Sequence, residues 1–85
     1  MKTLFNNGKL ALVQDGDTYT IGKPVKDEKG KIVLQNQKYY YQPASAVKAL
    51  AKRVSNDEAK DLFEWLAIFQ ETCYEVDALF RQESI

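Results

Sequence analysis

Leu62-Phe63-Glu64-Trp65-Leu66-Ala67-Ile68-Phe69 carries one polar residue in eight and lies inside the longest helical pattern of this 85-residue chain. A helix that is apolar nearly all round needs cover nearly all round. A chain this short has few other elements to supply that cover. It buries only about 60% of the surface its unfolded form exposes, so its own core is marginal. The stretch therefore predicts a second surface: a partner protein, another copy of the chain in a homodimer or larger homo-oligomer, or both.

Around that stretch the spacing predicts a helix from Asn56 to Glu83. Leu62, Leu66, Phe69, Cys73, Val76 and Phe80 form its main apolar stripe, widened by Trp65, Ile68, Thr72 and Leu79. That stripe is expected to dock on the rest of the fold. Phe63, Trp65, Ile68 and Tyr74 are the surplus, and they are the candidate contact residues. Glu64, Glu71 and Glu75 line the opposite ridge; they are either an ordinary solvated face or a surface for a basic partner. Just upstream, Ser55-Asn56-Asp57-Glu58 has the form of a capping box, with Ser55 as the cap and Glu58 reaching back to it. This pattern places a helix boundary at residue 55. The preceding helix is expected over 43–54, starting at Pro43. Val47, Leu50, Ala51 and Val54 make its inner face.

The first half has the period of a sheet. Residues 9–42 are expected to form a three-stranded antiparallel meander. Lys9–Gln14 is its first strand and Asp15-Gly16-Asp17 a tight turn. Thr18–Gly22 alternates as the second strand, which Pro24 should weaken or end, unless Pro24 sits on its unpaired edge. Lys26–Gly30 is a charged loop. The third strand resumes at Lys31, with a bulge or small turn at Gln35-Asn36-Gln37. Leu10, Leu12, Tyr19, Ile21, Ile32 and Leu34 are expected on its core face. The fold class is thus α+β: one domain over 1–85, with a meander packed on one face by a short helix and a long C-terminal helix.

Composition narrows the function classes. The chain is 45% apolar and 28% charged, as ordinary soluble proteins are. No apolar run approaches the ~18 residues of a membrane span, and the N-terminus lacks an apolar signal core. A cytoplasmic protein with no membrane association is expected, which the single Cys73 fits. There is no His, which removes the commonest general base and metal ligand. One Cys without His also excludes the usual zinc sites. No cofactor, metal or catalytic residue is expected, and no enzymatic constellation is visible. Charge is uneven: residues 1–54 hold ten Lys/Arg and four Asp/Glu, and residues 55–85 hold two and eight. A nucleic-acid-binding module is the alternative reading. In it Lys48, Lys52 and Arg53 meet phosphates while Tyr39 and Tyr41 stack on bases. A helix-turn-helix form of it is weaker still, because the second helix is acidic and a recognition helix should be basic.

The order of elements resembles a family of small phage- and prophage-encoded proteins grouped as a domain of unknown function. The resemblance rests on the short meander, on Tyr39-Tyr40-Tyr41 leading through Pro43 into Ala44-Ser45-Ala46-Val47-Lys48-Ala49-Leu50, and on the helix that follows. It covers roughly Lys9 to Phe80, and Gln42 departs from the family pattern by separating Tyr41 from Pro43. It implies a viral protein working in the host cytoplasm. Such proteins often bind and block a host protein, including defence proteins such as CRISPR nucleases. The expected function is therefore protein–protein binding, possible host-defence inhibition and self-association.

Overall fold

The computed structural model describes residues 2–81. It is α+β: an antiparallel sheet in the order β1-β2-β3-β4, then two helices. The strands are β1 (Lys2–Asn6), β2 (Ala11–Asp15), β3 (Thr18–Lys26) and β4 (Ile32–Tyr40). The helices are α1 (Pro43–Glu58) and α2 (Leu62–Arg81). Contacts divide the chain into two compact units, one up to Ala46 and one from Val47 on.

The sheet has four strands rather than the expected three, because β1 precedes the meander. Its sequence hides it: Leu4 and Phe5 are adjacent apolar residues and break the alternation that marks a strand. The register explains how both become buried. It slips between Thr3 and Phe5, so Leu4 is the extra residue of a bulge. The turn into β2 is built by asparagines. Asn6 Oδ1 accepts from the Gly8 amide at 2.9 Å, and Asn7 Oδ1 accepts from the Lys9 and Leu10 amides at 2.9 and 2.8 Å. Gly8 completes it at φ 87°, a conformation that side chains disfavour.

Hairpins join the other strands as expected, through Gly16-Asp17 and through a loop closed by Asp27. The Asp27 carboxylate accepts from the Lys29 and Lys31 amides, both at 2.9 Å. β3 runs through Pro24, the unpaired-edge alternative for that residue. Pro24 lies beyond the reach of β2, where β3 has a neighbour on one side only, so its missing N–H leaves a free edge unpaired rather than a ladder bond.

A bulge in β4 overturns part of the expected core. Leu12, Tyr19 and Ile21 are buried on one sheet face as expected. Ile32 and Leu34 are not on that face, and Leu10 is only half-buried just before β2. Tyr19 pairs with Tyr40 and Ile21 with Lys38, but Lys23 pairs with Gln35. Asn36, at φ 55°, is part of the extra length. A one-residue slip inverts the facing of the strand on one side of it relative to the other, so Ile32 and Leu34, on the far side of the bulge from Lys38 and Tyr40, leave the core face. Gly22 stands opposite the bulge. A Cβ there would lie 2.8 Å from Leu34 Cβ and 3.0 Å from the Gln35 carbonyl oxygen, which is why this position has no side chain.

The helix boundary falls one turn later than the capping box suggests. α1 does not stop at Val54 but continues to Glu58, and Ser55 lies inside it. The Ser55 hydroxyl donates back to the Ala51 carbonyl at 2.7 Å, and the Ala59 amide donates to the Ser55 carbonyl at 2.9 Å. Asp61 is the true cap. Its carboxylate accepts from the Glu64 amide at 2.8 Å, and its carbonyl accepts from the Trp65 amide at 2.9 Å. The pattern Asp61-x-x-Glu64 was as visible as Ser55-x-x-Glu58. Nothing in Ser55-Asn56-Asp57-Glu58 breaks a helix, so α1 keeps going. α2 accordingly starts at Leu62 rather than Asn56. The expected end at Glu83 lies outside the described residues.

Candidate protein-binding surfaces

α2 divides by burial into two faces about half a turn apart. On one face Thr72 and Val76 are buried, and Trp65, Ile68, Phe69 and Leu79 are half-buried. The Trp65 indole N–H donates to Asn56 Oδ1 of α1 at 2.8 Å. Its ring stacks on Phe69 with centroids 5.2 Å apart and planes 16° apart. Thr72 turns its hydroxyl back to the Ile68 carbonyl at 2.8 Å, so its polar atom is satisfied where it is buried.

The other face is exposed and still apolar over its first turns. Phe63 is 85% exposed, Leu62 68%, Leu66 47%, and Tyr74 74%. At about 100° per residue, Phe63, Ala67, Gln70 and Tyr74 follow one line along the helix. Further along, Asp77 and Arg81 close the face with an ion pair at 2.9 Å. Asp61 fixes where this face begins, because capping at 61 puts Leu62 and Phe63 in the first turn.

Of the expected contact residues, Phe63 and Tyr74 are on the exposed face. Trp65 and Ile68 are half-buried on the opposite one, where Trp65 already has its hydrogen bond and its stacking partner. Leu62 and Leu66 were expected in the docking stripe and are exposed instead. The stripe was drawn too far round: its centre lies near Thr72 and Val76, not along Leu62 and Leu66. Glu71 and Glu75 are exposed and Glu64 is half-buried. They form a ridge about a quarter-turn from Phe63 and Tyr74.

The residues of the nucleic-acid reading are dispersed in character. Lys48 and Lys52 are exposed on α1. Arg53 is half-buried, and its Nη1 is shut off from solvent with no hydrogen-bond partner. In the first unit Tyr39 and Tyr41 are exposed and Tyr40 is half-buried. Tyr39 donates its hydroxyl to Gln37 Oε1.

A second concavity, of about 470 Å³, lies on the sheet face away from Leu12 and Ile21. Ala11, Val13 and Thr20 floor it, and Ile32, Val33 and Tyr39 stand at its rim. The β4 bulge creates it by turning Ile32 and Leu34 to this side. A shallower hollow of about 410 Å³ sits at the turn between α1 and α2, beside Asn56 and Trp65.

Lys60 and Asp61 line the hollow at the turn, and Asp15 and Tyr39 the one on the sheet. Among the described residues no group of three or more His, Cys, Asp or Glu is placed to hold a metal. Cys73 is a free, half-buried thiol, and burial pushes its pKa above the ordinary value, which disfavours the nucleophilic thiolate. No helix among the described residues is long and apolar enough to cross a membrane. No family model, no curated protein and no solved structure matches this chain, so its function has to be read from these surfaces.

Proposed function

We propose that this chain is a protein-binding module without covalent chemistry, and that its contact surface is the α2 face bearing Leu62, Phe63, Leu66 and Tyr74. The exposure of those four side chains, on one side of a helix whose other side is already engaged, carries the reading. Scattered exposed apolar residues are ordinary on any protein. Leu62, Phe63 and Leu66 adjoin at the start of the helix, and Tyr74 follows on the line of Phe63; two of the four are aromatic, the make-up of an interface centre. Burying each such side chain against a partner contributes about 1.5–3 kcal/mol. The resemblance to phage-encoded proteins adds a setting: the partner is a host protein, and occupying its surface blocks it.

Photo-cross-linking tests the reading. A photoreactive phenylalanine analogue is placed at position 63, at 74, or at the exposed Tyr41 as control, and irradiated in the cells that express the protein. Adducts are expected at 63 and 74 well above those at 41. Equal yields at all three positions would show that the α2 face is no more engaged than ordinary surface.

A further inference from the structure

We infer that the α2 face recognises a basic amphipathic surface, an apolar stripe rimmed by lysine or arginine, rather than a second copy of this chain. This rests on the reading of α2 as the contact face. Apolar area alone does not choose a partner; the charge beside it does.

Glu64, Glu71 and Glu75 run along the helix parallel to Phe63, Ala67 and Tyr74, about a quarter-turn away. No described cation pairs with any of the three. Arg81, which stands at the end of the face, is held by Asp77. From residue 55 to residue 81 there are seven carboxylates against Lys60 and Arg81, a net charge of −5. The contact face is thus greasy in its middle and negative along one flank, and the Arg81 at its end is already paired. An amphipathic helix whose apolar stripe is bordered by lysines meets both features together: its stripe covers Phe63 and Tyr74 while its cations reach the ridge. A twin docking by the same face brings its own Glu64, Glu71 and Glu75 to the contact. Like charges brought together in this way cost affinity, and they suppress the wrong partner.

The test uses the full chain and two designed helical peptides. One alternates leucine and lysine with helical spacing; the other replaces each lysine with glutamate. Binding is followed by calorimetry at low and at physiological salt, and the oligomeric state by sedimentation. The leucine–lysine peptide is expected to bind more than about tenfold tighter than its glutamate counterpart, with affinity falling as salt rises. Phe63→Ser and Tyr74→Ser are each expected to weaken it by about tenfold or more. Their side chains are exposed, and circular dichroism checks that both variants stay folded. The triple variant Glu64→Gln, Glu71→Gln, Glu75→Gln is expected to erase the preference between the peptides. Equal binding of both peptides, still lost in Phe63→Ser, would overturn the charge inference and leave the contact face standing. Binding that ignores both Phe63→Ser and Tyr74→Ser, or no binding at all, would overturn the inference; indifference to both substitutions also removes the face itself. A wild-type dimer that Phe63→Ser dissociates would make the occupant a second copy, and the inference would be wrong.

Discussion

α1 and α2 are neighbours in sequence and use their apolar residues in opposite ways. In α1 the apolar positions Ala46, Leu50, Ala51 and Val54 form one face, and all four are buried. Val47, on the same side, is half-buried, and the rest of that helix is polar or small. In α2 the apolar residues go most of the way round. One side is engaged through Trp65, Phe69, Thr72 and Val76, while Leu62, Phe63, Leu66 and Tyr74 remain in solvent. The composition of α1 is what the chain's own fold requires. That of α2 exceeds it, and folding of this chain does not account for the excess.

Substitutions on the two helices separate these roles. The largest effect is expected from Leu50→Ala, which empties a fully buried site and should cost about 2–5 kcal/mol in urea denaturation. The sheet offers a similar check on close packing. Gly22→Ala drives a methyl into Leu34 and should cost about 1–3 kcal/mol, read the same way. Next comes the start of α2: Asp61→Ala removes the cap and should cost about 0.5–2 kcal/mol, with a loss of helical circular dichroism. Ser55→Ala should cost less than Asp61→Ala, because its hydroxyl bonds back inside a continuous helix; the reverse order would restore a boundary at residue 55. Phe63→Ala should shift stability by no more than about 0.5 kcal/mol. A loss there as large as that of Leu50→Ala would mean that Phe63 serves the fold. Cys73 gives the smallest signal. Its raised pKa leaves less thiolate near neutrality, so alkylation by iodoacetamide should be slower than for a free cysteine and should catch up only as the pH rises past the thiol's ordinary range.

Much of this fold was legible in the sequence where local chemistry and packing agree. Asp15-Gly16-Asp17 reads as a turn and is one; Leu12, Tyr19 and Ile21 read as a core face and are buried together. The misses come from places where one residue changes the register. Leu4 and Phe5 look unlike a strand until a bulge lets both be buried. A bulge or small turn is legible at Gln35-Asn36-Gln37, but the alternation does not say which of the two it is, and only a bulge sends Ile32 and Leu34 to the opposite face. Two capping patterns lie six residues apart at Ser55 and Asp61, and sequence alone does not rank them. The same limit applied to the contact face. An all-round apolar helix announces a surplus, and Phe63 and Tyr74, two of the residues placed in it, are exposed. Choosing Leu62 and Leu66 over Trp65 requires knowing that Asn56 stands where the indole N–H can reach it.

Hydroxyl-radical footprinting of the purified protein at high dilution, set against footprinting inside the cells that express it, tests the central claim most directly. Phe63, Leu66 and Tyr74 should oxidise readily in the dilute sample and be protected in the cell, while Tyr41 oxidises in both. Identical oxidation of Phe63 and Tyr74 in the two settings, or protection of both already in the dilute sample, would contradict the account.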